Sequence, residues 1–443
     1  MPDQPNATQT WSRRKRRAVK LAMTLASLAF ALLLCEVALR LVDYSFPTFY
    51  TTDDERGFRL RPGARGTYRK EGESFVEINS AGLRDREHPK EKPPGTLRVA
   101  VVGDSYAEAL QVPAGQAFWA VAERTLNEQC PALAGRRVEM INFGVSGYGT
   151  AQELITVRRD VFDYSPDIVL LAFTTNNDVT DNSRAFKRTD EIPYFVLRDG
   201  RLALDDSFRR TRSFRLRNSL PSRAGAWLRD NSRVLQAVNH AHYALKNYLA
   251  VRRSRAAAEQ AQRQRQAQQQ QQSPQPAQAS AATPTTQPDA RAIATPITDA
   301  GDVGIDNLVY REPTDATWQE AWQVTEALVV EMRDEAVRRG ARFVAVTLSN
   351  GPQVLPDPAA RAAFARRFGA TDLFYPDLRI RALGDRRGFT VFNLAPELQA
   401  YAEQRRLYLH GFGSDIGNGH WNADGHRAAG ELLAQKLCAE LSE

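Results

Sequence analysis

The chain has 443 residues, more than one compact domain usually needs, so a main core with insertions and appendages is expected. Its 42% hydrophobic and 25% charged residues permit a sizeable buried core. The formal charge of +7 sits largely in local basic runs; the later ones lack interleaved aromatics or a nucleic-acid motif and read as solvated faces, so no nucleic-acid partner is expected.

In chain order, Arg13 to Arg17 is an unbroken basic run, and "LAMTLASLAFALLLC", Leu21 to Cys35, is uncharged and continues through "EVALRLV" to Val42. This predicts a cytoplasmic tail over 1–17 and a transmembrane helix over 18–42, with Glu36 and Arg40 snorkelling to the headgroups at one end. The basic run stays inside, which sends the remainder across the membrane. No small-x-small cleavage site follows, and Leu34 is too large for a lipoprotein box at Cys35, so an uncleaved single-pass anchor is expected. Residues 43–96 read as a β-rich collar, with "FVEINS" its clearest strand. Over 97–181, "RVAVVG", "RVEMIN" and "DIVLLAFTT" are short apolar strands alternating with helices at Tyr106–Gln129 and Gln152–Asp163. An insertion over 182–251 holds a hairpin turning at Asp199-Gly200 and a long helical stretch. The Gln-, Ala- and Pro-rich segment 252–310 has too few large apolar residues to fold and is expected to be a disordered linker. The core resumes over 311–443 with an amphipathic helix closed by Gly340, then "RFVAVTL", "FTVFNL" and a helix from Ala423. Such alternation indicates an α/β fold with a parallel sheet covered on both faces.

Ligands of such sheets bind beyond the carboxyl ends of the strands. The turns there carry Gly103-Asp104-Ser105, then Asn142 to Gly147, then Asn176-Asn177-Asp178, with "GNGHWNADGHRAAG" near the chain end. A serine hydroxyl needs an adjacent base, most often histidine, and a developing oxyanion needs donors such as glycine N–H groups or an asparagine amide. Any one of these matches is weak, because Ser105 alone could be a helix N-cap. Four in order are not.

Those four blocks resemble the SGNH (GDSL-type) hydrolase superfamily over Leu97–Asp181 and Phe389–Leu441. The resemblance implies a doubly wound, flavodoxin-like five-stranded parallel sheet. It also implies Ser105 as nucleophile, His420 as base, and an oxyanion hole from Ser105, Gly147 and Asn177, with Asp104, Asn142 and Asp178 in support. It implies a serine esterase acting on O-acyl esters and needing no cofactor. The anchor, the collar and "INSAGLRDRE" resemble a membrane-tethered bacterial subgroup associated with surface polysaccharides, which implies a bacterial inner membrane with the catalytic domain in the periplasm, and O-acetyl esters of envelope carbohydrate as substrate. Two alternatives stay open: O-acyl transfer to polysaccharide by the same residues, fed by a membrane acyl-donor partner, or a non-catalytic tethered module binding glycan or an assembly partner.

The chain departs from the family pattern in three places. Thr175 stands where the third block has glycine. Gly417 stands where the triad acid belongs, which leaves Asp415, two residues further back, or a backbone carbonyl behind the imidazole. Asp85 and His88 in "DREH" copy the acid–histidine spacing ahead of the sheet and read as a decoy, although related acetyltransferases take this pair from upstream of the serine. His426 is an alternative base, Tyr148 a candidate substrate contact, and Trp421 a core residue that could instead stack on a sugar. His240, His242 and His410 show no metal-ligand spacing, and no metal is expected. In a doubly wound sheet the first and last helices are neighbours, so Cys130 and Cys438 are expected to form a disulfide, with two free buried thiols as the alternative.

Overall fold

The computed structural model describes residues 13–246, 248, 249, 252 and 305–442. Most of the expected linker, residues 253–304, therefore lies outside the described residues. The chain divides into two compact units, residues 1–46 with 225–298 and residues 47–224 with 299–443.

In the second unit, five strands form one parallel sheet: β5 (Thr96–Gly103), β6 (Arg137–Asn142), β7 (Ile168–Thr174), β10 (Arg342–Leu348) and β11 (Thr390–Asn393). The spatial order is β11-β10-β7-β5-β6, the doubly wound arrangement with its switch point beside β5. Apolar residues run unbroken over Val99–Val102 of β5 and Ile168–Phe173 of β7 because both faces are covered. Val99 and Val101 pack under the helices Phe118–Gln129 and Ala423–Glu440. Ala100 and Val102 pack on the other face under Thr150–Arg159 and Ala316–Arg338. Helices Phe118–Gln129 and Ala423–Glu440 touch closely at Gly430, where a Cβ would lie 2.5 Å from the Phe118 carbonyl oxygen. Cys130 and Cys438, at their ends, are joined in a disulfide with Cα atoms 5.6 Å apart.

The single helix expected over 106–129 is broken. Ser105–Glu108 makes one turn, Ala109 turns left-handed at φ +54°, and Pro113 lies ahead of the longer helix from Phe118. The hairpin β8 (Tyr194–Arg198) and β9 (Arg201–Asp205) turns at Asp199-Gly200, both with positive φ, as the Asp-Gly pair requires.

Residues 47–96 of the expected collar belong to the same compact unit as the parallel sheet. Its hairpins β1 (Tyr50–Asp53) with β2 (Gly57–Leu60), and β3 (Arg65–Tyr68) with β4 (Ser74–Glu77), bury Phe49, Leu60, Val76 and Ile78. The same cluster contains Leu110, Val145 and Tyr148 from the turns after β5 and β6.

In the first unit, the helix Arg13–Leu41 contains a stretch from Arg14 to Leu41 long and apolar enough to cross a membrane. Helix 233–246 lies beside its carboxyl end.

Candidate active site

β5 ends at Gly103, and the next three residues divide the work. Asp104 is the helix cap: its Oδ1 accepts the Tyr106 N–H at 2.9 Å and the Thr174 hydroxyl at 3.0 Å. The Ser105 side chain is thereby free for something else, and its Oγ lies 2.8 Å from His420 Nε2. Behind the ring, His420 Nδ1 lies 2.5 Å from Glu71 Oε2, while the His420 backbone N–H donates to Glu71 Oε1 at 2.8 Å. One carboxylate thus fixes both the backbone and the ring of His420. Burial would push the Glu71 carboxyl up, but hydrogen bonds and charge from His420, together with Gln111, outweigh it and hold the group below the usual carboxylate range.

Glu71 lies in the turn between β3 and β4 and was not among the residues expected from sequence. Asp415 does not take the role: it sits exposed on a short turn, and its side chain makes no hydrogen bond to His420. A backbone carbonyl behind the ring is likewise ruled out by Glu71. Gly417 could not carry the acid either. Its φ is +91°, and a Cβ there would meet Leu355 and Tyr408 at 3.0 and 3.2 Å. Two glycines make room for Glu71 instead. At Gly419, φ +72°, a Cβ would lie 2.2 Å from Glu71 Oε1, and at Gly72, φ +71°, 2.5 Å from the Gln111 carbonyl oxygen.

The remaining expected residues gather round this line. The Asn177 Nδ2 donates to Asp104 Oδ2 at 2.7 Å, which places the amide beside the Asp104-Ser105 turn and leaves its second hydrogen free. Thr175, in the glycine position of the third block, accepts from Asn350 Nδ2 at 2.8 Å without displacing Asn177. Asp178 is buried and accepts the Thr174 N–H at 2.7 Å; burial, with Glu153 and Asp104 nearby, raises its carboxyl and favours the neutral acid. Asn142 Oδ1 accepts the Gly144 N–H at 2.9 Å and shapes the turn that reaches Gly147, whose φ is +82°. The carboxylate of buried Glu108 takes the Ser146 N–H and the Tyr50 hydroxyl, tying that turn to the collar. Lys187 pairs with Asp181 and donates to the Gly147 carbonyl at 3.3 Å.

The alternatives resolve into supports. His426 is buried, accepts the Phe118 N–H at 3.2 Å through Nδ1, and does not reach Ser105. His88 sits between Asp85 at 3.1 Å and Glu139 at 2.7 Å, and Asp85 also accepts the Asn142 N–H, so "DREH" braces the second block. The Tyr148 hydroxyl donates to the Phe58 carbonyl at 2.6 Å within the core, and Trp421 is buried with its indole N–H on Ser349 Oγ. His410, noted in the sequence only for lacking metal-ligand spacing, hydrogen-bonds Ser349 and the Gly419 carbonyl, to which the Tyr106 hydroxyl also donates. The residue just before His420 is therefore held on two sides. Among the described residues no cluster of His, Cys, Asp and Glu suits a metal ion.

No protein-family model and no curated protein matches the chain. Solved structures do. An alpha/beta hydrolase enzyme from the metagenome of Lake Arreo, Spain, is 12% identical, with 78% of this chain and 96% of that one covered, at a TM-score of 0.34. A catalytic mutant of an acetylxylan esterase from Geobacillus stearothermophilus is 11% identical, covering 80% and 96%, at 0.33. A GDSL-like lipase from Bacteroides thetaiotaomicron is 9% identical, covering 80% and 92%, at 0.30. These are likenesses at low identity, and the chemistry below rests on the site itself.

Proposed function

We propose that this chain is a membrane-tethered serine esterase of the SGNH type, acting on O-acetyl esters of carbohydrate. The observation that carries the esterase reading is the unbroken line from Ser105 Oγ through the His420 ring to the Glu71 carboxylate. Ser105 attacks the ester carbonyl while His420 Nε2 takes its proton, and Glu71 fixes the tautomer and stabilises the imidazolium that forms. The oxyanion is received by the N–H groups of Ser105 and Gly147 and the free hydrogen of the Asn177 amide. His420 then protonates the departing alcohol, and water, deprotonated by the same ring, releases the acid and restores Ser105. A binding-only module drew its support from the missing acid, and Glu71 removes that support. The carbohydrate and the acetyl group come from the subgroup resemblance.

The tether reading rests on the apolar helix Arg14–Leu41 and the basic run before it. The basic end lies in the cytoplasm and the catalytic body in the periplasm. Resistance of the full chain to alkaline carbonate extraction supports it; release into the soluble fraction, as from a cleaved signal sequence, defeats it.

The esterase is tested by labelling the full chain in detergent with a fluorophosphonate probe. Labelling of the wild type that Ser105→Ala and His420→Ala both abolish is expected. A well-folded wild type that takes no label would sink the reading.

A further inference from the structure

We infer that helix 233–246, with Leu249 beyond it, forms a second membrane contact, lying in the headgroup region of an anionic bilayer with one apolar side toward the acyl chains. This rests on the tether reading above.

The helix is built onto the end of the span. Glu36 follows directly after the uncharged run Leu21–Cys35, in the last two turns of the span, at the end where long side chains reach the headgroups. That carboxylate accepts the N–H groups of Arg233 and Val234 at 2.9 and 3.0 Å and the Ser232 hydroxyl at 2.9 Å. It caps the helix together with Ser232, whose hydroxyl oxygen accepts the Leu235 N–H at 3.3 Å. Arg40, paired with Glu36, donates to the Asn231 carbonyl at 2.9 Å and so satisfies the end of the preceding helix. Farther along, Gln236 Oε1 accepts the Phe46 N–H at 2.9 Å, and the His240 ring stacks on Phe46 at 4.2 Å.

Gln236, His240 and Tyr243 thus occupy the side turned to the chain leaving the membrane. The opposite side carries Leu235, Val238, Leu245 and Leu249, at i, i+3, i+10 and i+14, which fall on one stripe. All four are exposed, Val238 at 61% and Leu245 at 57%. Trp227 and Leu228 on the helix before are exposed as well. Lys246 and Arg252 flank the stripe, and Arg229 lies on the helix before. An apolar stripe with tryptophan, tyrosine and cations beside it is the composition of interfacial helices. A second copy would fit worse, because pairing two stripes would bring these cations against one another.

The test uses the full chain with Cys35→Ala, whose other two cysteines are bonded to each other. Single cysteines replace Leu28 in the span, Val238 or Leu245 in the stripe, or exposed Glu431 as an aqueous control, and each carries an environment-sensitive fluorophore. Proteins are reconstituted into vesicles of phosphatidylcholine and phosphatidylglycerol, with nitroxide lipids as quenchers. Expected are blue-shifted emission and quenching by headgroup-proximal nitroxide at 238 and 245, quenching by deep nitroxide at 28, and none at 431. Quenching at 28 with 238 and 245 behaving like 431 overturns the inference and leaves the tether standing. No quenching at 28 removes the tether, and the inference with it. A blue shift at 238 that nitroxide lipids do not quench and protein dilution abolishes overturns the inference in favour of self-association.

Discussion

Glu71 lies 349 residues from His420 in the chain and 2.5 Å from it in space. Replacing it with glutamine keeps the shape and removes the charge that stabilises the imidazolium. Glu71→Gln is therefore expected to lower esterase turnover by roughly 10²–10⁴-fold, and Asp415→Asn to leave it unchanged, in parallel kinetics on an acetyl ester. Ser105, Asn142, Asn177 and His420 could be read from sequence because each sits in a short motif at a strand end or a helix start. Glu71 occupies an irregular turn with no periodicity. Its traces were Gly72 and Gly419, whose cramped, left-handed positions emerge only when the two loops meet. His426 bears on stability rather than chemistry. Burial, with Arg84, His420 and His410 nearby, pushes it down from its usual 6.5 to about 3. Below the ordinary value the unfolded chain binds a proton that the native chain refuses, so this histidine withdraws stability as pH falls from there toward its native value. The stability difference between wild type and His426→Gln should accordingly narrow by about 3 kcal/mol between about pH 7 and about pH 4, measured by urea denaturation.

Among the elements, the loop carrying His420 and the β3–β4 turn carrying Glu71 form one joint. Adding a single methyl at Gly419 sets a Cβ 2.2 Å from Glu71 Oε1 at φ +72°, so the carboxylate must leave. Gly419→Ala should approach the Glu71→Gln defect in turnover while circular dichroism stays unchanged. The sheet strands were legible because burial on both faces leaves an apolar run with few alternatives. The helix after Ser105 was less so. Propensity favours continuing through Ala109, whereas the Trp119 indole donates to the Ala107 carbonyl at 2.9 Å and Arg84 donates to the Glu108 and Val112 carbonyls. Tertiary partners take the carbonyls a longer helix would have used, and the chain turns.

For the molecule as a whole, strand order and the covering of each face were within reach of the sequence, since right-handed crossovers leave few ways to wind alternating strands and helices. The collar's role was not, because its contacts run between an N-terminal segment and turns of the central sheet, and nothing local announces them. The disulfide closes a loop over a sequence separation of 308 residues. Loop-closure entropy then makes its removal cost about 2–5 kcal/mol. The paired Cys130→Ala, Cys438→Ala variant should melt on the order of 10 °C lower in calorimetry.

That bridge has another consequence. Residues 253–304 lie between its two ends in sequence, and they separate a part bearing Glu71, Ser105 and β5 to β7 from a part bearing His420, β10 and β11. A protease cutting once in that stretch would leave two polypeptides still fastened to each other, with every member of the triad retained. Such a clipped form would migrate as one species until reductant is added and only then as two. Without reductant the severed enzyme would pass on a gel for the intact one.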